Sequence, residues 1–411
     1  MFNLFSKNRN FRNFTLFSAF GGIGRGMFAM FMMWAIHAMY QNPIYTGLAG
    51  FMFGAPLVIS FVVGPFVDRW NKVRVLRVVE FVKLCAAGLI LLAHLYLEVG
   101  VWFYLTVILA ASIASLFGTP AGTALLPRIV DGDDIVKANA LMNMFGIFGG
   151  LAIGVVLYRL MQQGADFALV YGVNTAVFVL AVIFSLTLKS GEDKDEKAPS
   201  KTYFGDLKSG FAFVKKGVML PVVFFVTGMT LFSQMTYVNL PMFAQLHLGS
   251  ASGYILLSAL ALLGGLVGSW IVGLLASKVD MGRILIIAFV LAGVTRILFV
   301  NIIGDNLTRA ILIYILYVGL GSAIGILHRA LVQKLPPKEL ISRVDTSIIS
   351  LSALAGAAGS IVGGFLGTHL ANIDYVFIIQ GASYIAIGVL LMVSKNIRGL
   401  PKITELSKSD E

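Results

Sequence analysis

The chain has 411 residues, 58% of them hydrophobic and only 12% charged, and a formal net charge of +11 at pH 7. A soluble domain carries about 25% charged residues, so this composition cannot cover a water-facing surface and points to lipid as the solvent. The basic excess falls in short groups between apolar runs, which records orientation in a membrane and argues against a nucleic-acid partner. Cys85 is the only cysteine, which excludes an internal disulfide and a thiolate metal site.

Lys7, Arg9 and Arg12 precede an apolar stretch over 14–37. It is too long for a signal-peptide core of about 7–15 residues and has no small-residue cleavage exit, so it reads as an uncleaved first span. A helix needs about 20 apolar residues to cross the hydrocarbon core. On that criterion spans are predicted at 14–37, 45–67, 76–97, 101–126, 138–161, 167–188, 218–240, 251–276, 284–303, 310–331, 346–370 and 375–394. The expected fold is an all-α membrane protein of twelve transmembrane helices in two six-helix bundles, 1–188 and 218–394, with a cytoplasmic tail over 395–411. Between the bundles, 189–217 reads as a cytoplasmic linker. Its first part has the composition of a disordered segment, and its second alternates apolar and basic positions like a surface helix.

Orientation follows from the charges. With both termini and the even-numbered hairpins assigned to the cytoplasm, 27 of the 31 Lys and Arg lie on that side. Arg159 and Arg309 fall on the other side, and Arg25 and Arg296 within spans.

The two halves repeat in their loops. Gly64, Asp68, Arg69 and Arg74 after span 2 align with Gly273, Ser277, Lys278 and Arg283 after span 8, at an offset of 209. After spans 4 and 10, Val130, Asp134, Ile135, Val136 and Lys137 align with Leu335, Glu339, Leu340, Ile341 and Ser342 at an offset of 205. Internal repeats of multi-span halves are the signature of secondary transporters, whose substrate sites lie between the repeats near the midplane.

The run Gly64-Pro-Phe-Val-Asp68-Arg69, followed by Arg74, resembles the cytoplasmic motif of the major facilitator superfamily. Leu125-Leu126-Pro127, Asp134 and Ala138-Asn139-Ala140 resemble its macrolide-efflux and enterobactin-exporter branch, as do Pro336-Pro337 and Arg343-Val344. The resemblance implies alternating access by two six-helix bundles without ATP hydrolysis. The chain also lacks a GxxxxGK phosphate loop followed by Ser or Thr. By the same resemblance, Gly64, Asp68, Arg69, Arg74 and Arg343 form a cytoplasmic gating motif. Asp68 is expected near the positive N-terminal end of span 11, with Arg343 as an additional partner. The alternative is that the arginines only set topology.

Ionisable groups inside spans are costly and functional by default. No carboxylate is placed near the middle of a span, Glu80 and Asp345 being assigned to the cytoplasmic ends. Where the branch that the chain resembles carries an acid in the helix-1 region, this sequence reads Gly24-Arg25, which puts carboxylate-based proton antiport in doubt. Arg25 falls near the centre of span 1. It either contacts an anionic or zwitterionic part of a substrate or bonds carbonyls and hydroxyls between helices. Arg296, on the peripheral span 9, is expected to snorkel. By family resemblance, spans 1, 4, 7 and 10 line the cavity. Span 4 carries a polar stripe of Ser112, Ser115, Thr119 and Thr123. Gln234 and Tyr237 on span 7, Tyr317 on span 10 and Asn143 on span 5 complete the expected cavity set. Asn143 is preferred over Asn139, which is placed at a helix end. The five histidines show no metal-ligand spacing and are read as interfacial, so no metal and no cofactor are expected.

The leading reading is a secondary exporter of amphipathic small molecules, drug-like or macrolide-like, in the cell membrane. It would act as a monomer, with a proton as the coupling ion to be tested. The alternatives are an exporter or flippase of an anionic metabolite such as a siderophore or lysolipid, and a non-transporting membrane sensor. No nucleophile–base set suggests an enzyme.

Overall fold

The computed structural model describes residues 2–130, 134–189, 213, 219–337 and 340–402. The linker is outside them except for residues 189 and 213, and so is the tail beyond 402. Gly64 and Asp68 are described in backbone only.

In chain order the helices are α1 (Phe2–Lys7), α2 (Arg9–Tyr40), α3 (Pro43–Gly54), α4 (Ser60–Arg69), α5 (Lys72–Tyr96), α6 (Val101–Ile129), α7 (Ile135–Gln162) and α8 (Phe167–Leu186). They continue as α9 (Met219–Tyr237), α10 (Leu240–Leu248), α11 (Ala251–Leu275), α12 (Met281–Ile302), α13 (Leu307–Lys334), α14 (Ile341–His369), α15 (Asp374–Val393) and α16 (Lys395–Arg398). Ten of these are long and apolar enough to cross a bilayer as single helices. The other two crossings depart from that form. α5 has 25 residues, but Lys72, Arg74, Arg77, Glu80 and Lys83 crowd its first half. The crossing over 43–69 is broken by a 3-10 segment, Ala55–Ile59. Pro56 explains the break, because its ring supplies no N–H and clashes with the carbonyl four residues back. Among the described residues twelve crossings result, as expected.

Short polar loops start the helices. The side chains of Asn8, Asn42, Asn71 and Asn306 accept hydrogen bonds from the backbone N–H of Phe11, Ile44, Arg74 and Arg309 at 2.9–3.0 Å. Each satisfies a donor that a helix start leaves open.

The helices sort into two compact units, Met1–Gln41 with Ile59–Ser200, and Asn42–Val58 with Lys201–Glu411. In the first, α2 packs against α6, α7 and α8, and α5 packs against α6 and α8. Its core is built on Phe11, Phe14, Phe17, Leu76, Val79, Leu116 and Leu125. Asn174 Nδ2 donates to the Gly24 carbonyl at 2.9 Å, joining α8 to α2. Arg77 donates to the carbonyls of Ser185, Leu186 and Leu188 at 3.1, 3.2 and 2.9 Å. A cation there satisfies the open carbonyls of a helix C-terminus.

In the second unit α14 packs against both α9 and α3 through glycines. A Cβ at Gly359 would collide with the Leu231 backbone, and one at Gly364 would stand 2.9 Å from the Pro43 carbonyl and 3.0 Å from Gly47 Cα. Such approach lets dispersion hold helices together where lipid offers no hydrophobic drive. Asn239 Nδ2 ties the same seam, donating to the carbonyls of Met235 and Gly363 at 2.8 Å each.

Candidate functional site

A cavity of about 360 Å³ lies inside the first unit, lined by α2, α5, α6 and α7. Phe14, Phe17, Leu76 and Leu126 supply apolar walls, while Ser18, Ser115, Thr119, Thr123 and Asn139 supply polar ones. Three charged side chains face it: Arg25 from α2, and Glu80 and Lys83 from α5.

Glu80 and Lys83 stand one turn apart on α5, with Lys83 Nζ donating to Glu80 Oε1 at 2.7 Å. Their side chains are only 5% and 7% exposed, so each charge depends on the other. Glu80 Oε2 receives no protein hydrogen bond. Room for the carboxylate comes from α2, where a Cβ on Gly21 would lie 3.1 Å from Oε1 and 3.4 Å from Oε2. Arg25, one turn further along α2, is exposed to the cavity and acts electrostatically on Lys83. With the ion pair self-satisfied and Glu80 Oε2 buried beside Gly21, the exposed Arg25 guanidinium is the charge of the three that opens to the cavity.

The hydroxyls add acceptors rather than donors. Ser115 Oγ donates to the Ala111 carbonyl at 2.8 Å, and Thr123 Oγ1 to the Thr119 carbonyl at 3.0 Å. With the hydrogen committed to the helix, each oxygen keeps a lone pair for a ligand donor.

The structure gathers Arg25, Ser115, Thr119 and Thr123 around this cavity, while Ser112 does not line it. Three expectations are corrected. Asn139 lines the cavity and Asn143 does not, because the cavity reaches only the first two turns of α7, through Ile135, Asn139 and Met142. The sequence assigns Glu80 to the cytoplasmic end of span 3, with no carboxylate near the middle of a span. α5 instead begins at Lys72, which carries Glu80 more than two turns into the helix. The signal was present in Val78-Val79-Glu80-Phe81-Val82-Lys83, where opposite charges at i and i+3 share one face of an apolar run.

The third correction is Arg296. It does not snorkel: it is 3% exposed, with its Cζ 4.6 Å from the ring centroids of both Tyr317 and Phe377 and 5.6 Å from that of Phe299. Its Nε and Nη1 have no hydrogen-bond acceptor. α12 carries Phe299 itself and is held between α13 and α15, which supply Tyr317 and Phe377, so this side of the helix meets protein and not lipid. Tyr317 is thus drawn to Arg296 within the second unit. Gln234 sits against Gly356 on the α9–α14 seam, and Tyr237 ends α9.

Of the gating set, Arg69 and Arg74 are exposed at the end of α4 and the start of α5, and Arg343 is half-buried in the first turn of α14. The histidines vary more than an interfacial reading allows. His37 is buried, His328 stands edge-on to Phe225 at 6.4 Å, and His247 meets Asp374 at 2.7 Å. Among the described residues no group of three or more His, Cys, Asp or Glu could hold a metal ion.

Residues 14–360 match the family model described as Major Facilitator Superfamily. Macrolide efflux protein A of Streptococcus pyogenes is 22% identical over 355 residues, covering 82% of this chain and 84% of that protein. An uncharacterized MFS-type transporter, YjbB of Bacillus subtilis, is 31% identical over 164 residues, covering 36% and 37%. Among solved structures, the nucleoside transporter NupG superposes with a TM-score of 0.75 at 13% identity, covering 94% of this chain and 98% of that one. A structure from a study of proton dependent oligopeptide transporters gives 0.72 at 14% identity, covering 97% and 99%.

Proposed function

The chain belongs to the Major Facilitator Superfamily, and from that premise we propose that it is a secondary exporter of amphipathic small molecules, working by alternating access in the cell membrane with both termini cytoplasmic. The observation that carries the substrate class is the cavity of the first unit. Apolar rings and hydroxyls surround one exposed guanidinium and one buried carboxylate oxygen with no protein hydrogen bond. An amphipath would lay its apolar body on Phe14, Phe17 and Leu126 and present its polar group to Arg25 or Glu80. The similarity to macrolide efflux proteins supports outward export of large, partly apolar compounds.

Glu80 also bears on coupling. A buried carboxylate facing the cavity can exchange a proton for a substrate group, so a proton gradient is the driving force we assign. Gly64, Asp68, Arg69, Arg74 and Arg343 act as the cytoplasmic latch in this reading. Asp68→Asn is therefore expected to reduce flux with normal membrane insertion, whereas a purely topological role for the loop predicts unchanged flux.

A second reading, export of an anionic metabolite or lysolipid, is favoured by Arg25 alone. One experiment separates the readings: purified protein in liposomes under an imposed pH gradient, supplied with labelled cationic, neutral or anionic amphipaths. Gradient-driven flux of the cationic or neutral probes supports the drug-type exporter, and flux of the anionic probe alone supports the second reading. Absence of flux for all probes, with and without the gradient, overturns transport in favour of a sensor.

A further inference from the structure

The first unit carries a second hollow, a groove of about 880 Å³ between α5 and α6. A thin wall separates it from the charged cavity. Val79 lines the groove, and a Cβ on Gly118, which lines the cavity, would stand 3.3 Å from Val79 Cγ1. The floor of the groove is apolar throughout, with Val75, Val78 and Val82 on one side and Ala110, Ile113 and Ala114 on the other. Much of that floor is open, Val78 being 57% and Ile113 44% exposed. At 1.5 Å per residue, the trough runs about 10 Å along each helix, from Val75 to Val82 and from Ala110 to Phe117.

One end is different in kind. Arg69 and Arg74 stand there with Trp70, whose ring stacks on Phe117 at 5.9 Å. Arg77, one turn on, has its guanidinium committed to the end of α8. The guanidinium groups of Arg69 and Arg74 are both exposed, and among the described residues no acidic side chain lines the groove. Trp beside Arg is what the boundary between headgroups and hydrocarbon selects.

We infer that this groove holds an acyl chain of an anionic phospholipid, with the lipid phosphate between Arg69 and Arg74. A small soluble anion would leave the valine floor uncovered, and a zwitterionic lipid would leave the two guanidinium groups undercompensated. An anionic lipid answers both ends at once, and the cytoplasmic leaflet is where such lipids attract basic groups. Only the choice of leaflet rests on the orientation proposed above. The lipid would then bear directly on the two arginines of the gating motif.

The test uses Trp70 as a built-in reporter. Full-length protein is reconstituted with brominated phosphatidylglycerol or brominated phosphatidylcholine, and quenching of Trp70 is taken as the difference between wild type and Trp70→Phe, since Trp34, Trp102 and Trp270 remain in both. Phosphatidylglycerol is expected to quench at a mole fraction roughly tenfold lower, and Arg69→Gln or Arg74→Gln each to reduce that preference about fivefold. Equal quenching by the two lipids, or a preference that survives loss of both arginines, overturns the assignment. So does shielding of Trp70 from both lipids, which a second copy of the chain seated on the groove would produce. Should the arginine variants fail to insert, Ala114→Phe keeps both arginines but fills the floor. It is expected to abolish Trp70 quenching, and unchanged quenching in it overturns the assignment independently.

Discussion

Lys83 Nζ stands 2.7 Å from Glu80 Oε1 inside a helix that crosses the membrane, and each residue is the other's ion-pair partner. Removing one half of a buried pair strands the remaining charge, at a cost of about 3 kcal/mol. Glu80→Gln should therefore lower the unfolding temperature of the purified protein, and the double variant Glu80→Gln with Lys83→Met should recover most of the loss. Flux separates structure from coupling. If Glu80 carries the proton, the double variant stays folded but its flux no longer responds to the pH gradient. A rescued fold with intact gradient response would leave the pair a purely structural element.

Arg25 faces the same cavity without a carboxylate of its own. Arg25→Gln keeps hydrogen-bonding capacity and removes the charge. Competition between an anionic and a neutral amphipath in the flux assay should shift toward the neutral one by about tenfold, the scale of one lost charge-assisted hydrogen bond of about 1.5 kcal/mol. Equal expression with unchanged selectivity would assign Arg25 to helix packing.

Arg296 predicts an unusual order of stabilities. Its planar guanidinium lies near three aromatic rings, but two of its nitrogens have no acceptor. Lysine keeps the charge and loses the flat stacking surface, so Arg296→Lys should destabilise by about 1–2 kcal/mol. Methionine keeps apolar contact with the rings and removes the buried charge, so Arg296→Met should unfold at a higher temperature than Arg296→Lys. Thermal unfolding of the three proteins reads the order directly. The reverse order would mean that the guanidinium has an acceptor in the folded protein.

The α9–α14 seam gives the fourth prediction. A Cβ on Gly359 would run into the Leu231 backbone, which cannot rotate away as a side chain could. Gly359→Val should cost about 2–3 kcal/mol by forcing the helices apart. Gly325, whose Cβ would meet nothing within 4 Å, is the control and should accept alanine without loss of unfolding temperature. Equal tolerance at both sites would mean that the helices do not meet at Gly359.

Much of the fold was legible in advance because it depends on local quantities. A crossing is a stretch of apolar residues, and its ends are asparagines and glycines, so the twelve spans could be placed within a few residues of their helices. The hydroxyl stripe of α6 was legible for the same reason: Ser115, Thr119 and Thr123 lie at helical spacing on one helix, and all three line the cavity. The choice between Asn139 and Asn143 was not legible, since four residues is nearly one turn and both lie on similar faces of α7.

By itself the sequence determined which segments cross the membrane, the distribution of basic residues that underlies the orientation, and the superfamily motif at Gly64–Arg74. Only the tertiary structure decided what each buried charge meets. Arg25 joins Glu80 and Lys83 because α2 and α5 turn particular faces to a common cavity, and Arg296 lies among Phe299, Tyr317 and Phe377 because α13 and α15 close over α12. Hydropathy sums a segment's preference for lipid over water. It carries no information on which side of a helix meets another helix, and for an ionisable side chain in a membrane that side determines its partner.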